Sequence, residues 1–177
     1  NNISNNYVVL YAQWMEIPEN TEIYTIDDLK KFAASVNAGN DYSGKTVTLM
    51  KDIDFKPTEE TDNNFTPIGV VISEQEVIPF LGTFDGNGHT ISGIRINQAN
   101  VRSFCSLFSF IGNGATIQNV ILSDIIVTGA VSDGLVAVND CGTIKHNFVN
   151  GATISGSEAI KLLSNINKPK IRNWLIN

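Results

Sequence analysis

The sequence predicts a mainly β protein, a right-handed, single-stranded parallel β-helix with coils of about 27 residues. The first observation is a repeat, because apolar residues return at nearly constant spacing in the column Ile91, Ile117, Ile144 and Ile171. The second observation is that apolar and polar residues alternate within a copy, as they do in strands that bury one face. One copy cannot bury its apolar face alone, so stacked copies are expected to share a core.

Four further columns keep the same phase. Val, Ile and Thr dominate the copies, which suits pleated strands, and glycines separate the strands where tight corners need a positive φ. Leucine-rich repeats have a similar period, but their Leu-x-x-Leu-x-Leu run is missing, and helical repeats would need longer stretches with a 3.6-residue period. The further columns are Ile94, Val120, Asn147 and Trp174; Ile96, Leu122, Val149 and Ile176; Ala99, Ile125 and Ala152; and Val101, Val127 and Ile154.

Asn147 is the polar member of an otherwise apolar column. A buried amide needs hydrogen-bond partners. We therefore expect Asn147 to bond a backbone group at a corner inside the coil.

Residues 1–17 are expected to contain a strand. Residues 7–14 are rich in β-branched and aromatic residues, which favours a strand. Two interpretations stay open: the tail strand of a preceding surface repeat, or simply the first strand of this domain. The predicted division is a tail strand or linker at residues 1–17 and a β-helix domain at residues 18–177.

One helix is predicted at about residues 26–37. Thr25 is a good N-cap, acidic residues in the first turn favour the helix dipole, and Gly39 supplies the stop. The end of a β-helix exposes strand edges and core, so we expect this helix to cap the N-terminal end. Its apolar stripe consists of Ile26, Leu29, Phe32, Ala33 and Val36.

The remaining strands follow the helix in order. Residues 45–55 are predicted to form the first coil, residues 56–64 an inserted polar loop, and residues 66–69 and 80–91 the return of the core pattern. Asn177 falls in mid-coil, so the C-terminal end is expected either to be truncated or to be closed by Trp174 and Leu175.

Composition excludes several classes of protein. The formal net charge is −6 and no basic stripe is present, which argues against a nucleic-acid partner. No apolar run approaches the roughly 18 residues of a membrane helix, so no membrane insertion of this chain is expected.

Cys105 and Cys141 do not share a column of the repeat. Scattered cysteines of this kind are more often small buried hydrophobic residues than partners in a disulfide. A disulfide between these two stays open as the minority alternative.

Residues that could carry chemistry are few. Asp85-Gly86-Asn87-Gly88-His89 fits neither an EF-hand nor a glycine-rich calcium repeat, and Asp-Gly and Asn-Gly are turn dipeptides. The repeat spacing pairs Asp124 with Gln98 and Gly151, so no carboxylate ladder is expected there. His89 and His146 lack the clustered ligands that zinc needs. We predict surface or turn roles, and therefore no catalytic, cofactor-binding or metal-binding residues, for these candidates and for Asp52, Asp54, Asp133 and Asp140.

Two sequence runs resemble known families. The chain from about residue 23 to 156 resembles the β-helical region of GLUG-repeat bacterial surface proteins, most specifically in the run Gly82-Thr83-Phe84-Asp85-Gly86-Asn87-Gly88-His89. The same pattern is similar to the non-catalytic N-terminal part of IgA1-protease-type metallopeptidases. The Gly-Leu-Val-Gly signature appears here as Gly134-Leu135-Val136-Ala137, and the neighbouring copies replace its glycines. Leu10-Tyr11-Ala12-Gln13-Trp14 resembles the closing strand of an internalin-B-type repeat.

These resemblances imply a function without catalysis or cofactors. They imply an extracellular module of a bacterial cell-surface or cell-wall protein, with an adhesion or spacer role, joined to other domains of a larger surface protein. The expected partner is a host glycan or an extracellular-matrix protein, contacted by loops 56–64 and 72–79. The alternative is a carbohydrate-active β-helix enzyme or an accessory domain of a surface protease, and the fold by itself cannot decide between them.

Overall fold

A computed structural model describes residues 21–57, 59, 63–73, 76–98, 104–129, 131–155 and 158–159 of the chain. The predicted tail at residues 1–17 and the C-terminal positions Ile171, Trp174 and Ile176 lie outside these ranges. Within them the chain forms one helix, α1 (Ile26–Asn37), and the strands β1 (Glu22–Ile23), β2 (Thr46–Leu49), β3 (Ile53–Asp54), β4 (Val70–Val71), β5 (Val77–Ile78), β6 (Thr83–Asp85), β7 (Thr90–Ser92), β8 (Arg95–Gln98), β9 (Phe104–Cys105), β10 (Phe108–Ile111), β11 (Thr116–Gln118), β12 (Ile121–Gly129), β13 (Val131–Ser132), β14 (Val136–Asn139), β15 (Thr143–Lys145), β16 (Phe148–Ser155) and β17 (Glu158–Ala159).

The strands stack into a parallel β-helix, which confirms the predicted fold class. The first sheet has the order β1-β2-β6-β11-β15, and the second has the order β3-β7-β12-β16, with β8 also paired to β12. Two smaller parallel sheets, β10-β14 and β9-β13-β17, complete the coils. The hairpin of β4 and β5 is the antiparallel pair among the described strands. Successive coils are therefore joined by backbone hydrogen bonds.

The predicted repeat spacing is confirmed between the last two described coils. Ile117 pairs with Ile144, and Leu122 pairs with Val149. The residues of these columns point inward, and in the earlier coil they are fully buried. Equal spacing here places like residues above one another, which is what a shared core requires.

The predicted pairing of Ile91 with Ile117 is wrong. Ile117 pairs with Phe84, whereas Ile91 pairs with Leu122. The other predicted columns shift with it, so that Val127 pairs with Ile96 instead of Val101. As a result, the columns predicted to run from Ile94 and Ile96 into Val120 and Leu122 do not form, whereas Ala99 and Val101 lie outside the described residues.

Coils of unequal length explain the shifted register. Residues 99–103 separate β8 from β9, whereas residue 130 alone separates β12 from β13. Four residues separate β6 from β7, but only two separate β11 from β12. A comparison of the sequence with itself assumes coils of equal length, while backbone pairing tolerates extra residues between strands.

Helix α1 caps the N-terminal end as predicted. Thr25 is the N-cap, and its hydroxyl oxygen accepts a hydrogen bond from the Asp28 amide at 3.1 Å while the Asp28 carboxylate accepts one from the Thr25 amide at 3.0 Å. The sequence did not predict β1, which precedes the helix and pairs in parallel with β2. The β1-α1-β2 unit thus lays the buried face of the helix over the first coil.

Aromatic rings fill the core beneath the helix. The ring centroid of Phe32 lies 5.0 Å from Tyr42, 5.5 Å from Phe80 and 5.7 Å from Phe84. Phe84 in turn lies 5.3 Å from Phe108, which belongs to a different sheet. These rings are fully or almost fully buried, so they join the cap to the first coils through one packed cluster.

Corners of the coils are made by residues with positive φ. One corner stacks Asn87, Asn119 and His146, with φ of 51°, 55° and 55°. A second corner stacks Gly93, Asp124 and Gly151, with φ of 73°, 48° and 66°. Asn and Asp adopt this left-handed conformation at lower cost than most residues with a side chain.

Replacing Phe32 by Ala is expected to lower the free energy of unfolding by about 3–5 kcal/mol, because it removes a buried ring from the cluster and leaves a cavity. Urea denaturation followed by circular dichroism measures this change. Lys31→Ala, at an exposed position on the same helix, is the control and should change stability by less than about 0.5 kcal/mol. Equal effects of the two substitutions would contradict the capping role.

Candidate functional site

The candidate carboxylates lie at several corners of the described coils, with Asp54 and Asp124 beside the same corner in different coils. Asp52 lies between β2 and β3, whereas Asp54 is the last residue of β3 and Asp124 lies at the bend inside β12. Asp133 lies between β13 and β14, and Asp140 lies between β14 and β15. The fold therefore does not bring these five side chains together.

Asp52 and His89 form a contact that the sequence did not predict. Asp52 Oδ1 accepts a hydrogen bond from the Thr90 amide at 2.9 Å and lies 3.2 Å from His89 Nδ1. The Thr90 amide, followed by His89, lowers the pKa of the Asp52 carboxyl group below its ordinary value. This exposed pair ties the first coil to the second.

Both carboxylate oxygens of Asp85 accept hydrogen bonds that stabilise a corner. Oδ1 accepts hydrogen bonds from the Asn87 amide at 2.8 Å and from Asn119 Nδ2 at 2.9 Å, and Oδ2 accepts one from Gln118 Nε2 at 2.7 Å. Burial raises the pKa of Asp85, but the bonds from Asn119, Asn87 and Gln118 outweigh burial and lower it. The predicted structural turn at residues 85–89 is confirmed, and its carboxylate joins two coils.

Asp124 pairs with a buried arginine rather than with a neighbour in its predicted column. Arg95, whose side chain is 8% exposed, places Nη2 3.0 Å from both carboxylate oxygens of Asp124 and donates from Nη1 to the Asp124 carbonyl oxygen at 2.6 Å. The register places Asp124 beside Gly93 and Gly151, so the predicted pairing with Gln98 is wrong. Multiple contacts of this type fix a guanidinium group precisely in space.

Asp133 is buried, which corrects the prediction of a surface role. The residue is 3% exposed, its Oδ1 accepts from the Leu135 amide at 3.1 Å, and its Oδ2 has no hydrogen-bond partner among the described residues. Burial raises the pKa of Asp133 to about 7, although backbone amides of residues 134–136 oppose the shift. The sequence signal was its position directly before the Gly134-Leu135-Val136 signature, whose residues are buried.

The prediction for Asn147 is confirmed. Asn147 Oδ1 accepts a hydrogen bond from the Val120 amide at 2.8 Å, and Nδ2 donates to the Ile117 carbonyl oxygen at 2.9 Å. The side chain replaces the backbone pairing that the corner interrupts between two coils. His146, directly before it, is an exposed corner residue.

Cys105 and Cys141 are not joined to each other. Cys105 is buried with its Sγ 3.6 Å from Gln98 Oε1, and Cys141 is exposed at a corner with φ of 64°. Within the described ranges, no group of three or more His, Cys, Asp or Glu residues could hold a metal ion. The helix in those ranges is too short and too polar to span a bilayer.

A groove of about 380 Å³ opens beside the cap helix. One wall is α1 and the other is residues 63–66, of which residues 63 and 64 end the loop predicted at residues 56–64. We call this cavity the helix groove. The signal in the sequence was the pair of small residues on the helix, where larger side chains would fill the space. Its lining is Lys30, Ala33, Ala34, Asn37, Asn63, Asn64, Phe65 and Thr66.

The second predicted loop, residues 72–79, is largely a protruding hairpin. Strands β4 and β5 interrupt the rung between Ile68 and Phe80, which both bridge to β10. Ile72 and Val77 are 53% and 37% exposed near its tip. The coil therefore continues before and after the hairpin of β4 and β5.

The chain is similar to one large protein of known sequence. It is 30% identical over 141 residues to Halomucin of Haloquadratum walsbyi (strain DSM 16790 / HBSQ001), an alignment that covers 77% of this chain and 2% of Halomucin. The chain thus spans a very small part of that relative. No protein-family model and no solved structure matches the chain.

Substitution of Asp133 by Asn is expected to change how stability depends on pH. Between about pH 4 and pH 7 the unfolded carboxyl group loses its proton while the folded one keeps it, so the wild-type free energy of unfolding falls as pH rises. The fall is on the order of 4 kcal/mol and is absent for asparagine. The stability of the variant relative to the wild type should therefore rise over this range.

Urea denaturation at about pH 4, 6 and 8 measures how the free energy of unfolding depends on pH. Asp54→Asn removes the same charge from an exposed position and controls for net charge. Parallel curves of stability against pH for the wild type and Asp133→Asn would rule out the raised pKa.

Replacing Asn147 by Ala is expected to cost about 1–3 kcal/mol, because the Val120 amide and the Ile117 carbonyl group lose their partner at a partly buried corner. Thermal unfolding of the variant measures the loss. Asn150→Ala, at an exposed position in the following strand, provides the matched control. A loss no larger than that of the control would show that the two bonds do not hold the coils together.

Proposed function

We propose that the chain is a non-catalytic module of an extracellular cell-surface protein, in which a rigid β-helix carries or spaces binding surfaces. The observation that carries this proposal is the set of side-chain bonds between coils. Asp85 bonds to Asn119 and Gln118, Asn147 bonds to the backbone of the coil before it, and Arg95 pairs with Asp124. These bonds favour a stiff stack over a mobile one, which suits a spacer or a scaffold.

The positions of the acidic residues support a structural role over a catalytic one. Asp85 and Asp124 are engaged by partners from a neighbouring coil, and Asp133 is enclosed in the core. Glycosidases need two carboxyl groups facing one scissile bond at a defined separation. The distribution of these residues over separate corners favours a module without turnover.

Similarity to Halomucin supports the extracellular part of the proposal. That protein is named as a mucin, and mucins are secreted or surface glycoproteins; the similarity extends this location to the present chain as a proposal. Membership of the GLUG-repeat bacterial surface proteins and an internalin-B-type tail at residues 1–17 stay predictions that rest on the sequence motifs.

Among the described residues, two surface features are available for contact with a partner. The hairpin of β4 and β5 projects apolar side chains, Ile72 and Val77, from the rigid coil. The helix groove offers a concave polar surface on the cap. Recognition residues often lie on loops and turns held by a rigid scaffold, and a host glycan or extracellular-matrix protein is the partner class we propose.

A carbohydrate-active enzyme is the second candidate function. The observation in its favour is the exposed contact between Asp52 and His89, since a carboxylate that orients an imidazole is a common arrangement in acid–base catalysis. Asp85 lies at the same corner, at the end of β6 and shortly before His89.

A combined binding and turnover assay tests the two candidates. The purified chain is applied to a glycan array and to immobilised extracellular-matrix proteins, and release of reducing sugar from the same polysaccharides is followed in parallel. Saturable binding without sugar release supports the adhesion role, and silence in both assays supports the spacer role. Sugar release that disappears in His89→Ala and Asp52→Asn would overturn the proposed function in favour of the enzyme.

A further inference from the structure

We propose that the helix groove is a binding site for a neutral saccharide unit, held by Lys30, Asn63 and Thr66. This inference rests on the proposed binding function and assigns it a location and a ligand class. The groove of about 380 Å³ lies within the usual range of small-molecule sites.

The walls of the groove are held in place by asparagine side chains. Asn37 on α1 donates from Nδ2 to the Pro67 carbonyl oxygen at 2.9 Å and accepts from the Gly69 amide at 2.8 Å. Asn64 accepts from the Arg95 amide at 2.9 Å and donates to the Gly93 carbonyl oxygen at 2.9 Å. The groove is therefore preformed, and a ligand would meet a surface that needs little ordering.

Asn37 and Asn64 use their side-chain hydrogen bonds within the wall, so other polar residues at the rim must contact a ligand. Lys30, Asn63 and Thr66 are exposed at the groove and supply an ammonium group, an amide nitrogen and a hydroxyl group. Asn63 Oδ1 accepts from the Asn97 amide at 3.3 Å, and among the described residues its Nδ2 has no hydrogen-bond partner. These groups suit the hydroxyl oxygens of a sugar, which accept and donate hydrogen bonds in many directions.

The floor of the groove is apolar. Ala33 and Phe65 are buried there, and Ala34 presents only a methyl group from an exposed position. Lys30 Nζ lies 5.7 Å from the centroid of the Phe55 ring, a cation–π contact that restrains the ammonium group beside the groove. The exposed methyl group of Ala34 above this buried floor matches the C–H face of a pyranose, whereas the polar rim matches its hydroxyl groups.

Charge favours a neutral ligand over an anionic one. Lys30 is the cation among the residues that line the groove, and the whole chain carries a formal net charge of −6. Phosphate and carboxylate sites use clustered cations or several backbone amides. A hexose or an N-acetylhexosamine fits this electrostatic environment better than a uronic acid or a sugar phosphate.

Nuclear magnetic resonance of the ¹⁵N-labelled chain tests this site. Glucose, galactose and N-acetylglucosamine are titrated to millimolar concentrations, and glucuronate serves as the anionic comparison. Saturable shifts of the amides of residues 30–37 and 63–66 with at least one neutral sugar are the expected result. Absence of saturable shifts there with all three neutral sugars, or a response to glucuronate alone, would overturn the proposal.

Two substitutions separate groove binding from a general effect on the fold. Ala34→Leu fills the groove with a good helix former and should weaken binding by about tenfold or more. Lys30→Gln removes the ammonium group and should weaken binding less. The matched controls are Ala38→Leu and Lys31→Gln, at exposed positions outside the lining, which should retain wild-type affinity. Retained affinity in Ala34→Leu would reject the site.

Failure of this site can be distinguished from failure of the proposed function. Saturable binding on the glycan array that survives Ala34→Leu but disappears when Ile72 and Val77 are replaced by Ser and Thr would reject the groove and keep the adhesion role. Sugar release in the parallel assay would reject the non-catalytic role, whatever the titration of the groove shows.

Discussion

Parallel pairing between successive coils governs this molecule. Each coil must return its backbone to the same direction and register as the coil below it, or the strands lose their hydrogen bonds. A coil that is longer than the shortest coil therefore places its extra residues outside the paired strands. The turn after β6 and the hairpin of β4 and β5 are both outcomes of this rule.

Corners interrupt the backbone ladder, and polar side chains restore it. Asn147 bonds the two backbone groups that the corner leaves between β11 and β12. Asp85 and the pair of Arg95 with Asp124 join coils in a similar way at two other positions. Because these side chains complete the fold, their chemistry is directed inward or toward a neighbouring coil. Among the described residues, the hairpin, the helix groove and the Asp52–His89 contact face outward.

The cap helix has two functions in this structure. Helix α1 covers the core with Leu29, Phe32 and Val36, and its other side meets residues 63–66 without filling the space between them. One helix thus closes the apolar end of the stack and forms a wall of a polar groove. A site that shares its wall with the cap is held on a rigid element, which limits the ordering that a ligand must impose.

Local spacing and residue chemistry were enough to predict the fold class, the capping helix with its Thr25 N-cap, the turn at residues 85–89 and the inward role of Asn147. The register before Ile117, the burial of Asp133 and the pairing of Asp124 with Arg95 emerged only when the coils were stacked. Stacking also created the helix groove from two segments that are distant along the chain. Such contacts join coils of unequal length. The repeat spacing in the sequence does not reveal which residues of a longer coil lie outside the paired strands.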